Sequence, residues 1–303
     1  MSYSLYEGII PKIEEKLKKL RLRGALEAES LVKDKKRFYR TFAEKDGKKI
    51  FFKSLLSEEK GIKERFVNEI NFYRTLKENP LNPLNKFTPN LLEYSLYSFP
   101  FLVYEFILGE AKDKRDKFTK EELKEIVALL EAVRNSSVSF EFEGEQNLFS
   151  FNSYKEKITL FLKNLNLGKE IKERIENFTE KNKGIFKSTK SSLSHGDFSE
   201  ANLIFYGKEV KLIDWEHVNL RNPLYDLAGF FLRRKGYEDE KKILFEESLL
   251  NFKDKGQFLI LFKLSLLEIA LSDLNLFRES NKERLEKEKS AYLEIIKKYI
   301  LDN

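Results

Sequence analysis

The stretch SLSHGDFSEANLIFYGKEVKLIDWEHVNLRNPLYDLAGFF, Ser192–Phe231, carries most of what this sequence says about fold and chemistry. His195, Gly196 and Asp197 form a polar cluster after Leu193, and Asn202 follows Asp197 by five positions. The apolar run LIFY reads as a strand, GKE as a turn, and VKLIDW as the partner strand ending in Asp214. Such a hairpin sets Asp197 and Asn202 in the loop before one strand and Asp214 at the end of the other. Two carboxylates and a carboxamide are hard oxygen ligands, which suit Mg²⁺ shared with phosphate oxygens. With only two His and no Cys in the chain, a His-rich or thiolate metal site is excluded.

Upstream of this stretch, residues from about 25 to 56 read as strands. RFYRTFAE and KKIFFKSLL are rich in aromatic and β-branched residues and flank the turn signal Lys45-Asp46-Gly47-Lys48. A helix is predicted over Glu58–Glu78, because Ile62, Phe66, Ile70, Tyr73 and Leu76 recur at helical spacing. The Pro- and Asn-rich run ENPLNPLNKFTPN ends it, and LLEYSLYS and FPFLVYEFIL read as two more strands. Beyond Gly109 the pattern turns helical. A helix opens on the capping box Thr119-x-x-Glu122, further helices are predicted near Tyr154–Leu165 and Lys169–Asn182, and more run from about Pro223 onward. The layout is α+β, with a β-rich part over residues 1–108 and a larger, mainly helical part over 109–303.

The bulk numbers agree with a globular chain: 303 residues, 41% hydrophobic and 35% charged, with 27 Phe and 13 Tyr. The formal charge is +6, but 56 Lys and Arg are interleaved with 50 Asp and Glu in mixed runs such as KIEEKLKKL, typical of solvated helix faces. That patterning argues against a nucleic-acid partner. One segment departs from it: KDKKRFYR, Lys33–Arg40, has five basic residues against one acidic, and could meet phosphate or simply sit in water. No stretch has the length and apolarity of a signal peptide or a bilayer span, so a cytoplasmic, membrane-free protein is the expectation.

The order H-G-D-x-x-x-x-N, I-D-W-E and P-x-x-D-L-A resembles the signature of the aminoglycoside phosphotransferase and choline kinase family, small-molecule relatives of the protein kinases. The resemblance implies a protein-kinase-like two-lobed fold and an enzyme that moves the γ-phosphate of ATP to a hydroxyl of a small molecule, with Mg²⁺ as cofactor. Asp197 would be the catalytic residue that orients the acceptor hydroxyl and takes its proton; Asn202 and Asp214 would be the metal ligands. His195 would brace the loop and Asp226 would be structural. Lys53, on the strand KKIFFKSLL, would hold the α- and β-phosphates. Glu69, within the pattern F-x-x-E-x-x-x-Y-x-x-L, would hold that Lys, and Glu105, Phe106 and Ile107 would form the hinge against adenine. Read alone, Lys53 is a strand lysine, Glu69 a helix carboxylate and Asp214 a turn residue; it is the ordered set that carries the chemistry.

The resemblance breaks at one place. The phosphate-covering loop of such folds is rich in Gly, whereas here it reads AESLVKDKKRFY, with no Gly after Gly24. Lys35, Lys36 or Arg37 could supply charge instead, and the choice of ATP over another triphosphate stays open. The acceptor is not written in the motif. Glu200, Trp215, Glu216, Glu268 and Asp273 are candidates, and carboxylates with a Trp face would suit a cationic acceptor; His217 reads as an ordinary loop histidine. A protein kinase is disfavoured by the lack of D-F-G and A-P-E segments. The alternative from another class is a catalytically silent, kinase-like nucleotide-binding or regulatory protein.

Overall fold

The protein is described from a computed structural model, over residues 10–20, 37–97, 99–113, 115–144, 149–280 and 282–301. The chain forms two compact units. One comprises the chain up to Glu110 with Ser137–Glu145 and Lys211–His217; the other comprises Ala111–Ser136, Gln146–Val210 and the chain from Val218.

The first unit is built on an antiparallel sheet of four strands, β1 (Phe38–Lys45), β2 (Lys48–Leu55), β3 (Leu91–Ser95) and β4 (Phe101–Glu105), in the order β1-β2-β4-β3. The β1–β2 hairpin closes tightly because Asp46 and Gly47 both take positive φ, 51° and 75°, as a two-residue turn of right-handed twist requires. Aromatic and β-branched residues of these strands face inward: Tyr39, Ile50, Phe52, Phe101 and Val103 share a core with Ile13, Leu17 and Leu20, of which Ile13 and Leu17 lie on helix α1 (Ile10–Lys19). Helix α2 (Lys60–Glu78) follows β2, with Phe66, Ile70, Phe72 and Tyr73 buried. The Pro/Asn run after it folds as a 3₁₀ turn, Pro83–Lys86, capped by the Asn82 side chain on the Leu84 N–H. Asn68 of α2 exchanges two hydrogen bonds with the Glu143 backbone, which ties the 137–145 segment to this unit.

The two-residue strand β5 (Glu110–Ala111) falls where the chain passes into the second unit, which is mainly helical. Helix α3 (Lys120–Arg134) opens on the expected capping box, with both the Thr119 and Glu122 side-chain bonds made. Helices α4 (Phe151–Asn164), α5 (Lys169–Lys181) and the short α6 (Ile185–Ser188) precede β6 (Ser192–Ser194). Then come β7 (Leu203–Tyr206), β8 (Glu209–Leu212, whose last two residues belong to the first unit) and β9 (Asn219–Arg221), which pairs with β6. Helices α7 (Tyr225–Arg233), α8 (Glu238–Leu250), α9 (Lys255–Ser280) and α10 (Lys282–Ile296) complete it. Helix α9 is the core element. Its apolar residues occur almost all round, including the buried Phe258, Leu261, Leu264, Leu267 and Leu271, because α4, α7 and α10 all pack on it.

The expected strand start near residue 25, and Lys33–Lys36 of the basic run, lie outside the described residues; Phe38–Arg40 are in β1. Helix α2 begins two residues later than the spacing predicts. No helix of the described residues is long and apolar enough to cross a membrane.

Candidate phosphotransfer site

In the first unit, a buried lysine organises a group of charges. Lys53 sits on β2, 1% exposed, with its Nζ 2.7 Å from Glu69 Oε2 on α2 and 2.7 Å from Asp214 Oδ1. Glu216 Oε2 lies 3.5 Å away, and the rings of Phe38 and Phe66 pack over the ammonium at 4.5 and 5.7 Å. Burial alone would push the Lys53 ammonium toward neutrality; Asp214 and then Glu69 outweigh it and hold the charge firmly in place. Burial raises Glu69 to about 7 even against the pull of Lys53. A desolvated charge is stable only when paired and hydrogen-bonded, and here three carboxylates surround one ammonium.

Asp214 takes a positive φ of 63°, uncommon for a residue other than Gly or Asn. The strand expected to end in Asp214 stops at Leu212, two residues earlier; the Asp214 carboxylate also meets Arg40 of β1, whose Nη2 is 3.5 and 3.4 Å from the two oxygens. The next residue, Trp215, is fully buried, stacked on Phe72 with centroids 4.0 Å apart, and donates its indole N–H to Leu212 O. It therefore offers no open face to a cationic acceptor.

The hinge candidates end β4. Glu105 donates its N–H to Asn90 O, and its carboxylate accepts from both the Asn90 N–H and side-chain amide. Phe106 donates to Lys49 O and packs edge-on against Phe42; Ile107 follows in the same segment.

In the second unit, the start of the loop after β6 is held by a carboxylate. Asp226, in the first turn of α7, accepts from Ser194 Oγ at 3.0 Å, the His195 N–H at 2.7 Å and the Gly196 N–H at 2.9 Å. Gly196 can follow the path because it has φ +82°. His195 is fully buried and accepts the Asp197 N–H on Nδ1. The carboxylate of Asp197 is thus presented by a clamped loop, with its side chain 45% exposed. Asn202 donates its amide to Asp197 O at 2.9 Å and to Asp197 Oδ2 at 3.4 Å. Both amide bonds use nitrogen, so the Asn202 carbonyl oxygen is the atom suited to a hard cation, as is the Asp214 carboxylate in the first unit. On donor chemistry these residues fit Mg²⁺. Among the described residues, no group of three or more His, Cys, Asp or Glu is arranged to hold a metal by itself.

Two arginines near this loop have no local sequence signal. Arg233, at the end of α7, places Nη1 3.1 Å from Asp197 Oδ1 and donates to Phe198 O. Its neighbour Arg234 is buried against Glu240, with Nε at 3.0 Å and Nη2 at 2.6 Å, and Glu200 lies 3.9 Å from its Nη1. Glu200 is therefore part of an internal ionic group. Glu268 pairs with Lys157 at 3.3 Å, and Asp273, raised by burial, accepts from the Tyr292 hydroxyl. A cavity of about 30 Å³ lined by Gly196, Phe198, Tyr225, Arg233 and Asp273 lies behind the loop, room for about one water. A cavity of about 490 Å³ bounded by Phe231, Phe245, Phe262 and Tyr299 contains none of the loop residues.

A small antiparallel sheet unit with one long helix, and a larger helical unit carrying the H-G-D loop, define a kinase-like fold. The chain belongs to the phosphotransferase enzyme family (APH), which it matches over residues 56–248. Among curated proteins none matches it. Solved structures share the fold along nearly the whole chain. Choline kinase LicA from Streptococcus pneumoniae is 17% identical, with 95% of this chain and 99% of that chain covered and a TM-score of 0.61. A choline/ethanolamine kinase family protein from Mesorhizobium loti is 14% identical over 95% and 94% of the two chains, TM-score 0.60. A thermostable mutant of aminoglycoside phosphotransferase APH(4)-Ia, in ternary complex with ADP and hygromycin B, is 13% identical over 94% and 97%, TM-score 0.60.

Proposed function

We propose that this chain moves the γ-phosphoryl group of ATP to a hydroxyl of a small molecule such as an amino alcohol or an aminoglycoside. The observation that carries the reading is the buried Lys53, held between Glu69 and Asp214 at 2.7 Å each. Such a triad is expensive to bury without a role, and it is the set that phosphotransferases of this type use to hold phosphates. Support comes also from similar chains whose structures contain ADP with hygromycin B and GDP, respectively.

In this reading Lys53 meets the non-transferred phosphates and Glu69 keeps its ammonium aimed. Asp197, presented by the loop that Asp226 clamps, orients the acceptor hydroxyl and takes its proton as the new O–P bond forms. Asn202 holds the Asp197 loop by its amide and, with Asp214, would hold Mg²⁺ through oxygen. Bound Mg²⁺ supplies charge neutralisation of the phosphates. The hinge residues Glu105, Phe106 and Ile107 would meet the base through backbone groups.

The test is phosphate transfer from Mg-ATP across a panel of amino alcohols, aminoglycosides, sugars and amino acids, with Asp197→Ala as the blank. Transfer to one acceptor, lost in the variant, is expected and names the substrate class. A protein that binds no nucleotide would overturn this reading in favour of a silent regulatory role.

A further inference from the structure

Arg40 sits directly opposite Lys53 in the β1–β2 register, so the two cations project from the same face of the sheet. Like charges in that relation are destabilising, and a sheet tolerates them only where an anion lies between. Asp214 fills that place: Lys53 takes its Oδ1 at 2.7 Å, while Arg40 reaches both oxygens at 3.4–3.5 Å and Glu216 at 3.9 Å. The Lys53 contact has the length of a charge-assisted hydrogen bond; the Arg40 contacts are longer than such bonds. The Arg40 side chain is also 30% exposed, against 1% for Lys53. Lys53 holds the carboxylate closely, and Arg40 meets it at longer range.

Asp214 cannot serve a metal ion and keep Arg40 on both oxygens. When a divalent cation takes that carboxylate, Arg40 gives up its contact with Asp214 while remaining beside Lys53 on the same face. A guanidinium there matches phosphate oxygens with its planar fork. The sequence leading into β1 lacks the glycines that would let backbone N–H groups grip phosphate, so a side-chain cation has a gap to fill.

Building on the proposed phosphotransfer role, we propose that Arg40 is a second phosphate-binding residue, parked on Asp214 in the empty site and transferred to the phosphates of a bound nucleoside triphosphate. Arg40 then competes with the metal for Asp214 and cooperates with the metal in holding nucleotide. The two effects have opposite sign, which a merely structural arginine would not show.

The experiment measures two affinities on the full chain. Titration calorimetry gives the affinity for Mg²⁺ with a non-hydrolysable ATP analogue, and electron paramagnetic resonance gives Mn²⁺ binding to nucleotide-free protein. Arg40→Met is expected to weaken nucleotide binding roughly 10- to 100-fold, the loss of a charge-assisted hydrogen bond or two, and to tighten Mn²⁺ binding. Arg40→Lys should recover part of the nucleotide affinity, and serves as the test variant if Arg40→Met does not fold. Unchanged nucleotide affinity in the Arg40 variants, alongside a large loss in Lys53→Met, would overturn the assignment while leaving the phosphotransfer reading intact. If Lys53→Met and Asp214→Asn also bind nucleotide normally, the phosphotransfer reading itself fails.

Discussion

The two units hold their key carboxylates by different means. In the first, Asp214 is fixed by cations, Lys53 and Arg40, and by an unusual backbone turn. In the second, the loop bearing Asp197 is fixed by neutral donors, the Ser194 hydroxyl and the His195 and Gly196 N–H groups, all converging on Asp226. A network of opposite charges changes when an ion or a phosphate enters. A loop bound by its own backbone does not. Under the proposed function, the contrast gives ligand response to Lys53–Asp214 and preorganisation to the Asp197 loop.

The largest expected effect tests the clamped loop. Asp226→Ala leaves three donors without their acceptor, of which the Ser194 hydroxyl and the His195 N–H are buried and the Gly196 N–H part-buried. It should cost about 3–5 kcal/mol, measured by urea unfolding. Should the loss stay under about 1 kcal/mol, the loop is not held as described.

Next comes the charged network. Lys53→Met strands Glu69, fully buried and already raised to about 7. Its carboxyl rises further once the lysine is gone, and the sign follows: a folded-state pKa above the unfolded value favours the protonated form, so stability falls as pH rises through that range. The variant should lose about 3 kcal/mol at about pH 8, less at about pH 5, and recover much of it in Lys53→Met/Glu69→Gln. A pH-independent loss would show that charge is not what holds this region.

The sequence made the loop legible and the network only partly so. His195, Asp197, Asn202 and Asp226 belong to one stretch of 32 residues, where order and spacing carry meaning without knowledge of the fold. Lys53 and Glu69 were found because a strand and its following helix preserve a local pattern. Arg40 was visible only as one member of a basic run. Its partner Asp214 is 174 positions away, and no periodicity signals such a pair. Arg233 and Arg234 were missed for a related reason: as adjacent basic residues at a helix end they look like ordinary solvated charges, yet one meets Asp197 and the other is buried on Glu240. Trp215 misled in the opposite direction. Flanked by Asp214 and Glu216 it reads as an exposed aromatic, and only the packing shows Phe72 stacked beneath it.

Arg233→Lys, which keeps the charge but loses the fixed fork that reaches both Asp197 and Phe198 O, should change stability by less than about 1 kcal/mol, and Arg233→Ala by about 1 kcal/mol. A larger loss would mean that the loop depends on charge after all. Smallest is the α3 capping box. Partial burial raises Glu122, but Lys112 and the Thr119 N–H outweigh it and hold the carboxyl below its usual range. A depressed folded-state pKa stabilises above the unfolded value and is lost as pH falls through the folded one. Wild type should therefore exceed Glu122→Gln by about 1 kcal/mol or less near neutrality, with the gap closing below about pH 4. A gap that persists in acid would contradict it.

In the proposed reaction Asp197, presented by a preorganised loop, is the base in phosphoryl transfer, separate from the charged network proposed to hold nucleotide. The direct measurement is turnover with the acceptor found in the panel, and Mg-ATP affinity, for wild type and Asp197→Ala. A fall in turnover of about 10²-fold or more with nucleotide affinity nearly unchanged is the predicted result. Turnover close to wild type, or a parallel collapse of nucleotide binding, would contradict it.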